Sequence, residues 1–482
     1  MATFSAKRDE IIRLFCDCTK QQQNNILLEL LLQCEPLQLR ILYSELKPLL
    51  AVNFVAYLPS ELVDKIFFLL EAKDLCNIAM CNRLWREKAN NNAIWKKLCT
   101  DKNWIKYGDD QSLLNINNET TINTTPAQHQ ILLNSLKSTL KTCRWKEIYI
   151  RAYLLNRNWN TGRYTSIHTL RGHKQRVISL SCDGKWIVSG SEDNAARIWD
   201  LYTGACKHVL DNHTDSVRCL TLKNSVLVTG CFDGIVRIFD ANTGRCLRSL
   251  TGHQSGIDGV CFDGKIIATA SADKTIRLWD FSTGRCLHVM RGHTDEIQAI
   301  EMYKEYVVTS AWDDTIRLWD INSGNYKKIW KNDAVAYCLK LDESKCYAGN
   351  DDGLIKIWHV KNESPIAILT GHTQEVYCLQ YNDKIIATGS ADSTVRIWNH
   401  SGKCLHILKG HIGVVRCLHL DDMRLISGGD RKKIIIWNAQ TGKLVQALYQ
   451  NPSLLHLMWC NDTRIVTASP EPPGTLTIIN FW

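Results

Sequence analysis

From about residue 160 onward, one pattern of hydrophobic and polar positions recurs along the chain. It consists of an apolar run, a short polar turn and a segment of alternating apolar and polar residues, as in "KIIATASADKTIRLWD" (265–280). Alternation with a period of two predicts strands with one buried face, and the polar turn predicts an antiparallel hairpin. An aromatic residue ends each copy, 39 or 40 residues after the previous one, at Trp199, Phe239, Trp279, Trp319, Trp358, Trp398 and Trp437.

A histidine, preceded by glycine in most copies, recurs at the same interval at His173, His213, His253, His293, His372 and His411. This combination resembles the WD-repeat (β-transducin-like) family, in which each repeat is a four-stranded blade of a propeller. The resemblance implies an all-β propeller of eight blades, with seven as the alternative because the last unit is degenerate. One blade cannot bury both of its faces alone, so the blades are expected to stack around an axis. The strand "TSIHTL" (165–170) is expected to close the ring by pairing into the last blade.

The resemblance also implies a hydrogen-bonded tetrad in each blade. Its members are His173, Ser189, Asp193 and Trp199 in the first repeat and His253, Thr269, Asp273 and Trp279 in the third. A hydrolase also combines Asp, His and Ser, but a catalytic set has no reason to recur in every blade, so the role is interpreted as structural. The fifth blade is expected to keep only Asp352 and Trp358, and the seventh has Asp430 one residue early.

Before residue 160 the hydrophobic period becomes helical. Pro59 and Ser60 signal a helix start, and Leu62, Ile66, Leu69 and Leu70 follow on one apolar stripe. A second predicted helix carries Leu75, Ile78, Cys81 and Trp85, and a third carries Ile94, Trp95 and Leu98. Three short helices bury too little for this apolar content, which predicts a partner surface.

Leu-Pro-x-Glu-Leu (58–62) and the hydrophobic positions after it resemble an F-box, the module that docks on the Skp adaptor of a cullin-based (SCF) ubiquitin ligase. The alternative is a helical packing domain with a chance Leu-Pro start. The resemblance implies adaptor contacts at Leu58, Pro59, Leu62, Ile66, Leu69, Leu75 and Trp85.

Four regions are therefore predicted. Residues 1–52 form a helical segment, interpreted as a homodimerisation segment or as a packing extension of the F-box. Residues 53–101 form the F-box, residues 102–160 a polar loop and linker helices, and residues 161–482 the propeller.

In F-box/WD-repeat proteins, substrates bind the narrow rim of the propeller near its central channel, often as phosphorylated peptides. The rim positions implied here are Arg176, Arg218, Phe232, Trp312, Tyr337, Tyr377 and Arg416. The family's arginine triad for phosphate is not reproduced, whereas the aromatic residues predict anchors for a protein substrate. The alternative for each position is a solvated rim residue, and whether the degron carries phosphate stays open.

Composition removes several other classes of function. The net charge of +9 is spread along the chain without a basic block, so no nucleic-acid partner is expected. No apolar run reaches about 18 residues and the N-terminus lacks the apolar core of a signal peptide, so no membrane is expected either. The 20 cysteines show no C-x-x-C spacing and are interpreted as small buried residues in a reducing compartment, the cytoplasm and/or the nucleus.

Taken together, the two resemblances imply a non-catalytic substrate receptor of an SCF ubiquitin ligase, which is expected to use no cofactor or metal and to contact the cullin/RING core through the adaptor. A WD-repeat scaffold outside any ligase is the main alternative. An RNA-binding propeller would require basic and aromatic residues gathered on one face. A hydrolase would require one tetrad unlike the others.

Overall fold

A computed structural model describes residues 2–42, 54–105, 107, 143–430, 433–449, 457–469 and 474–482. The chain divides into two compact units, Met1–Ala152 and Tyr153–Trp482. Most of the predicted polar loop, from residue 108 to 125, and the helical pattern at 126–142 lie outside the described residues, as do residues 43–53. The predicted four-region boundaries therefore stay predictions.

The first unit is helical. Its helices, with the one that spans the boundary between the units, are α1 (Ala2–Cys16), α2 (Lys20–Leu32), α3 (Phe54–Tyr57), α4 (Ser60–Phe67), α5 (Ala72–Ala79), α6 (Arg83–Ala89), α7 (Asn92–Asp101) and α8 (Arg144–Thr161). Residues 36–42 are helical as well. No helix in the described ranges combines the length and the apolarity that a membrane crossing needs.

The core of this unit forms where α4, α5 and α7 pack together. Val63, Phe67, Leu75 and Trp95 are fully buried there. The indole Nε1 of Trp95 donates a hydrogen bond to the carbonyl oxygen of Ala89 at 2.7 Å, so its polar atom is satisfied inside the core.

The second predicted helix of the F-box region is divided into α5 and α6. Asn82 is the N-cap residue of α6. Its side chain accepts a hydrogen bond from the backbone N–H of Trp85 at 2.9 Å, so a new helix begins after it. The prediction of one helix from Leu75 to Trp85 is therefore wrong. The apolar spacing of the sequence continues from Leu75 to Trp85 across the break. The residue that marks the break is Asn82, because asparagine favours the N-cap position of a helix.

The second unit is built from strands. The first four blades contain β2 (Val177–Cys182), β3 (Trp186–Ser191), β4 (Ala196–Asp200), β5 (Cys206–Leu210), β6 (Val217–Lys223), β7 (Val226–Cys231), β8 (Val236–Asp240), β9 (Cys246–Leu250), β10 (Ile257–Phe262), β11 (Ile266–Ser271), β12 (Thr275–Asp280), β13 (Cys286–Arg291), β14 (Ile297–Tyr303), β15 (Tyr306–Ala311), β16 (Thr315–Asp320) and β17 (Tyr326–Lys331). The remaining blades contain β18 (Ala336–Leu341), β19 (Lys345–Asn350), β20 (Ile355–His359), β21 (Pro365–Leu369), β22 (Val376–Tyr381), β23 (Ile385–Ser390), β24 (Thr394–Asn399), β25 (Cys404–Lys409), β26 (Val415–Leu420), β27 (Arg424–Gly429), β28 (Lys433–Asn438), β29 (Leu444–Tyr449), β30 (Leu457–Cys460), β31 (Arg464–Ser469) and β32 (Thr475–Asn480), together with β1 (Ser166–Arg171).

These strands form eight antiparallel sheets of four strands among the described residues, so the prediction of eight blades is confirmed. The eighth sheet has the order β1-β32-β31-β30, and Ile167 of β1 pairs with Ile479 of β32. The predicted closure of the ring is therefore confirmed, and it leaves the last blade with no missing strand.

Adjacent blades share hydrophobic cores. Val228 and Ile238 of the second blade pack in one cluster with Ile257 and Trp279 of the third, and all four are almost fully buried. A blade thus obtains its buried surface from its neighbours, as expected for a repeat that cannot bury both faces alone.

The C-terminal half of α8 belongs to the propeller unit. The Trp159 ring stacks on that of Phe481 with centroids 3.8 Å apart, and its Nε1 donates to the carbonyl oxygen of Asp462 at 2.7 Å. Asn158 donates to the carbonyl oxygen of Phe481 at 2.8 Å. These contacts fasten the last residues of the chain to residues just before β1.

The structure places the four residues named for the first and third blades in one chain of hydrogen bonds in each blade. In the third blade, Trp279 Nε1 donates to Thr269 Oγ1 at 3.0 Å, and the hydroxyl lies 2.8 Å from His253 Nε2. His253 Nδ1 lies 2.8 Å from the carboxylate of Asp273. A carboxylate only accepts, so Nδ1 donates to it and Nε2 accepts from the hydroxyl.

The first blade repeats this arrangement. Trp199 Nε1 donates to Ser189 Oγ at 2.9 Å, Ser189 lies 2.8 Å from His173 Nε2, and His173 Nδ1 lies 2.9 Å from Asp193. Burial lowers the pKa of His173, which favours the neutral ring that this chain of bonds requires. Burial alone would raise the pKa of Asp193, but hydrogen bonds from the Lys174 N–H and from His173 hold it below its usual value.

The fifth blade replaces the tetrad with asparagines. Asn332 Nδ2 donates to Asn350 Oδ1 at 2.9 Å, and Lys356 donates to the carbonyl oxygen of Asn332. Trp358 Nε1 is buried without a hydrogen-bond partner, because Ala348 occupies the position of the tetrad hydroxyl. The sequence indicated the loss of the histidine and the hydroxyl but not the asparagine pair that fills the space.

We expect Thr269→Val to lower the free energy of unfolding by about 1–3 kcal/mol, because it leaves the buried Trp279 and His253 nitrogens without their shared partner. Thr283→Val is the matched control, since the Thr283 hydroxyl bonds Asp280 in an exposed turn; it should change stability by no more than about 0.5 kcal/mol. Urea unfolding of the purified chain measures both. Equal effects of the two substitutions would contradict a stabilising role for the tetrad.

Candidate functional site

The F-box region exposes a row of apolar side chains on α4 and beside it. Leu62, Ile66 and Leu69 are 45%, 37% and 84% exposed, although the same helix buries Val63 and Phe67. Leu62 and Ile66 lie at i and i+4 on one face of α4, and Leu69 follows in the turn after the helix. Of the apolar stripe predicted from the sequence, these three residues therefore face outward, whereas Leu70 packs against the core.

The other predicted adaptor contacts fall into two groups. Leu58 and Pro59 are exposed at the start of α4 and continue the outward stripe. Leu75 has no exposed surface and lies in the helical core, so its predicted contact with an adaptor is corrected to a packing role. Trp85 is partly buried, and its ring centroid lies 6.2 Å from that of Phe67.

Three exposed apolar residues near this stripe were not identified from the sequence. Tyr57, Met80 and Leu84 are 78%, 73% and 40% exposed. Met80 and Leu84 lie on either side of the break between α5 and α6, where a continuous helix was predicted. Recognition of the Asn82 cap would have placed them at two helix ends rather than within one face.

One backbone hydrogen bond recurs at the predicted rim positions. The residue before the turn aspartate donates its N–H to a carbonyl oxygen in the loop that leads into the innermost strand. Trp312 donates in this way to Glu296, and Phe232 donates to Ser216, both at 2.9 Å. Asp351 makes the equivalent bond with Val335 at 3.0 Å. These bonds fix the side chains of neighbouring blades around one end of the channel.

Arg218 is held by two neighbours. Its Nη1 lies 2.5 Å from Asp258 Oδ1 on the next blade, and its guanidinium lies 5.3 Å from the centre of the Phe232 ring. Burial raises the pKa of Asp258, more than the Arg218 charge lowers it. Arg218, Phe232 and Asp258 therefore form one cluster, and the carboxylate that neutralises the arginine was not among the predicted site residues.

Arg416 is also paired. Its Nε donates to Asp430 Oδ1 at 3.2 Å, and its guanidinium lies 5.2 Å from the centre of the Tyr377 ring. Asp430 is the aspartate that the sequence showed one residue early. Its position in the sequence, one residue before that of the other turn aspartates, accompanies its pairing with Arg416. The histidine of this blade, His411, still bonds the Ser427 hydroxyl at 2.8 Å.

Three aromatic residues from successive blades meet at the rim. The rings of Tyr337 and Tyr377 stack with centroids 5.3 Å apart and an interplanar angle of 9°. Trp312 stands edge-on to Tyr337, with centroids 6.2 Å apart, and 47% of it is exposed. The structure therefore brings these three predicted aromatic anchors into contact with one another. Arg176, also predicted to lie on the rim, is exposed on the first blade.

A cavity of about 380 Å³ opens beside these aromatic rings. Its lining includes Tyr337 and Tyr377 from the rim, Asp258 and Gln298 from the neighbouring blades, and Lys340. Lys340 is neutralised by Glu301, whose carboxylate lies 3.0 Å from its Nζ. Pockets of this size accommodate small ligands or a few side chains of a peptide.

One cluster has residue types that suit a metal. A nitrogen of His213, the sulfur of Cys231 and a carboxylate oxygen of Asp233 lie within 4.8 Å of one another. Arg237 Nη1 lies 3.1 Å from His213 Nδ1 and 2.9 Å from Asp233, so a cation of the protein already occupies the space between them. Burial and the Arg237 charge lower the pKa of His213 to about 4. The cluster is a variant of the tetrad that does not fit a metal.

Two family models match the chain. The model described as WD domain, G-beta repeat matches residues 164–200, 204–240, 244–280, 284–320, 363–399 and 402–438, and the model described as F-box-like matches residues 55–101. Together they match more than half of the chain. The interval between 320 and 363 contains the fifth blade, which has lost the tetrad.

Several curated proteins are similar to part of this chain. The probable E3 ubiquitin ligase complex SCF subunit sconB of Arthroderma otae is 29% identical over 201 residues, 40% of this chain and 29% of the relative. F-box/WD repeat-containing protein 7 of Drosophila melanogaster is 28% identical, over 36% of this chain and 12% of the relative. An F-box protein of Saccharomyces cerevisiae is 28% identical, over 36% of this chain and 26% of the relative. The chain thus spans less than a third of the length of these relatives.

A solved structure supports the propeller independently. The computationally designed Ika8 protein is 30% identical and matches with a TM-score of 0.62, over 65% of this chain and 98% of the designed chain. The match covers a share of the chain comparable to that of the propeller unit.

We expect Leu75→Ala to destabilise the helical unit by about 2–5 kcal/mol, because it opens a cavity in the core. Leu69→Ala removes the same atoms from a side chain that is 84% exposed and should cost no more than about 0.5 kcal/mol. Hydrogen exchange of the backbone amides in α4 to α7 separates the two outcomes. Equal loss of protection would show that Leu69 is also a core residue.

Proposed function

The chain belongs to the F-box/WD-repeat family, and on that basis we propose that it is the substrate-recognition subunit of an SCF (Skp-cullin-F-box) ubiquitin ligase. The helical unit docks the Skp adaptor, and through it the cullin/RING core. The propeller rim binds the degron of a protein substrate. In this role the chain is non-catalytic, because its contribution is to hold two proteins near each other.

The exposed stripe of Leu62, Ile66 and Leu69 is the observation that carries the proposal. Leu62 and Ile66 stand on a helix whose opposite face is already buried, and Leu69 stands in the turn after it, so the unit folds without these side chains and leaves them available to a partner. Burial of each aliphatic side chain contributes about 1.5–3 kcal/mol. The adaptor is the partner that an F-box of this family would place there.

The cysteines support a location in the cytoplasm and/or the nucleus. All twenty are free thiols in the structure. Burial raises the pKa of Cys261, Cys338 and Cys417 to about 12, so these thiols stay protonated and unreactive at neutral pH. Unpaired cysteines in this number suit a reducing compartment, which is where such a ligase acts.

We expect Leu62→Ala with Leu69→Ala to weaken adaptor binding by on the order of 100-fold, because two buried leucines are lost from the interface. The control is Leu247→Ala with Leu287→Ala, which truncates two exposed leucines on the propeller. Titration calorimetry of the full chain with purified Skp adaptor measures both. An adaptor that does not bind the wild-type chain would reject the ligase role and favour a WD-repeat scaffold.

We further propose that the N-terminal helices pair with those of a second copy of the chain. No residue of α2 is buried, although it contains five leucines and an isoleucine. Leu28 is 58% exposed, Leu32 is 84% exposed, and Leu14 of α1 is 63% exposed. A surface of this kind can bury itself against the same surface of a symmetry-related partner.

We expect Leu28→Glu with Leu31→Glu to convert a dimer into a monomer, because charges would then enter the apolar interface. Gln21→Glu with Asn25→Glu adds the same charges to polar positions of α2 and should leave the dimer intact. Light scattering after gel filtration gives the mass of each. A wild-type chain of monomeric mass would overturn this proposal and leave the segment as an extension of the F-box region.

A further inference from the structure

The rim is divided into two parts of different composition. The arginines lie on the first, second and seventh blades, whereas the aromatic trio of Trp312, Tyr337 and Tyr377 lies on the fourth, fifth and sixth. The loops that surround the trio are residues 292–296, 312–314, 332–335, 351–353, 371–375 and 391–393. They contain nine carboxylates and no lysine or arginine.

Several of these carboxylates act on the aromatic trio or on one another. Asp351 lies beside the trio because its N–H bonds the carbonyl oxygen of Val335, two residues before Tyr337, at 3.0 Å. Glu375 stands two residues before Tyr377, and its carbonyl oxygen accepts from the Ala391 N–H at 2.9 Å. Burial raises the pKa of Tyr337, and the charges of Tyr377, Asp351 and Glu375 raise it further. Burial also raises the pKa of Asp351, with added repulsion from Asp352 and Asp314. The loops around the aromatic trio are therefore rich in carboxylates, and the Arg416 guanidinium that lies over the Tyr377 ring is itself paired with Asp430.

Not all of the nine carboxylates are available to a ligand. Asp313 and Asp392 bond the tetrad histidines His293 and His372 at 2.9 and 2.8 Å. Asp295 lies 3.7 Å from Lys274 in an exposed pair. The others include Asp351 and Glu375, for which the structure gives no ion pair with a lysine or arginine among the described residues.

Two of the three arginines on the other part of the rim are already neutralised. Arg218 pairs with Asp258 and Arg416 pairs with Asp430, and each guanidinium also lies over an aromatic ring. A phosphate that approached either arginine would meet the carboxylate as well. These two side chains therefore do not form the free pair of guanidinium groups that a dianion prefers.

We propose that the aromatic trio, with Asp351 and Glu375, binds a positively charged arginine or lysine side chain of the substrate. The inference rests on the proposed function, because it specifies the degron that the receptor recognises. The apolar stem of the side chain would lie along Trp312 and Tyr337, since the Arg416 guanidinium already lies over Tyr377, and its charged end would meet the carboxylates. The adjoining cavity of about 380 Å³ provides the space.

The test uses the full chain and fluorescein-labelled peptide pools in which one position is fixed and the others are mixtures. The fixed residue is arginine, lysine, glutamine, glutamate or phosphoserine. Fluorescence anisotropy should show that the arginine or lysine pool binds on the order of tenfold more tightly than the glutamine pool. The glutamate and phosphoserine pools should bind more weakly than the glutamine pool.

Variants locate the site that gives the preference. Tyr337→Ala and the pair Asp351→Asn with Glu375→Gln should abolish it, whereas Tyr337→Phe retains the ring and should preserve it. Arg218→Gln with Arg416→Gln removes the two paired rim arginines and should also preserve it. Thermal unfolding shows whether each variant is folded. If Tyr337→Ala does not fold, the variant with Asp351→Asn and Glu375→Gln still tests whether the carboxylate charges are needed.

Two results would overturn the inference. One is tightest binding of the phosphoserine pool with loss in the double arginine variant, which would assign the rim to a phosphorylated degron. The other is equal binding, or no binding, of all pools. Adaptor titration of the same preparation keeps the questions apart, since adaptor binding without a cation preference rejects only this inference. A cation preference without adaptor binding rejects only the ligase role.

Discussion

The buried chain of hydrogen bonds from tryptophan through hydroxyl and histidine to aspartate governs the geometry of the propeller. Its aspartate fixes the turn between two strands, and the residue before that aspartate projects from the rim. Trp312 is placed in this way, because Asp313 is bonded to His293 and the Trp312 N–H is bonded to Glu296. A structural interaction inside each blade therefore positions the side chains that face a partner.

The second, fifth and seventh blades depart from this chain of bonds. In the seventh blade Asp430 has left the tetrad position and pairs with Arg416 instead. In the second blade Arg237 stands between His213 and Asp233, so a guanidinium completes the set within the blade. The fifth blade loses the hydroxyl and the histidine and fills the space with Asn332 and Asn350. The fold tolerates each loss because neighbouring blades share their hydrophobic cores.

The two units bury their cores in different ways. In the helical unit, Val63 and Phe67 are sufficient to anchor α4, so the leucines beside them are free to face outward. In the propeller, the core is closed by packing between blades, and the proposed recognition belongs to the loops at one rim. In both units the buried residues set the shape, and the exposed apolar or aromatic residues next to them form the proposed binding surfaces.

The repeat, the number of blades, the members of the tetrads and the F-box resemblance could all be predicted from the sequence, because periodicity and spacing are local properties of a chain. The same patterns did not reveal which apolar residues of a helix face inward: Leu75 is core and Leu69 is exposed, although both fit the same motif. Nor did they show that Asp258 neutralises Arg218, since that contact joins residues one whole repeat apart. Burial and charge pairing depend on neighbours that are distant in the chain and meet only when it folds.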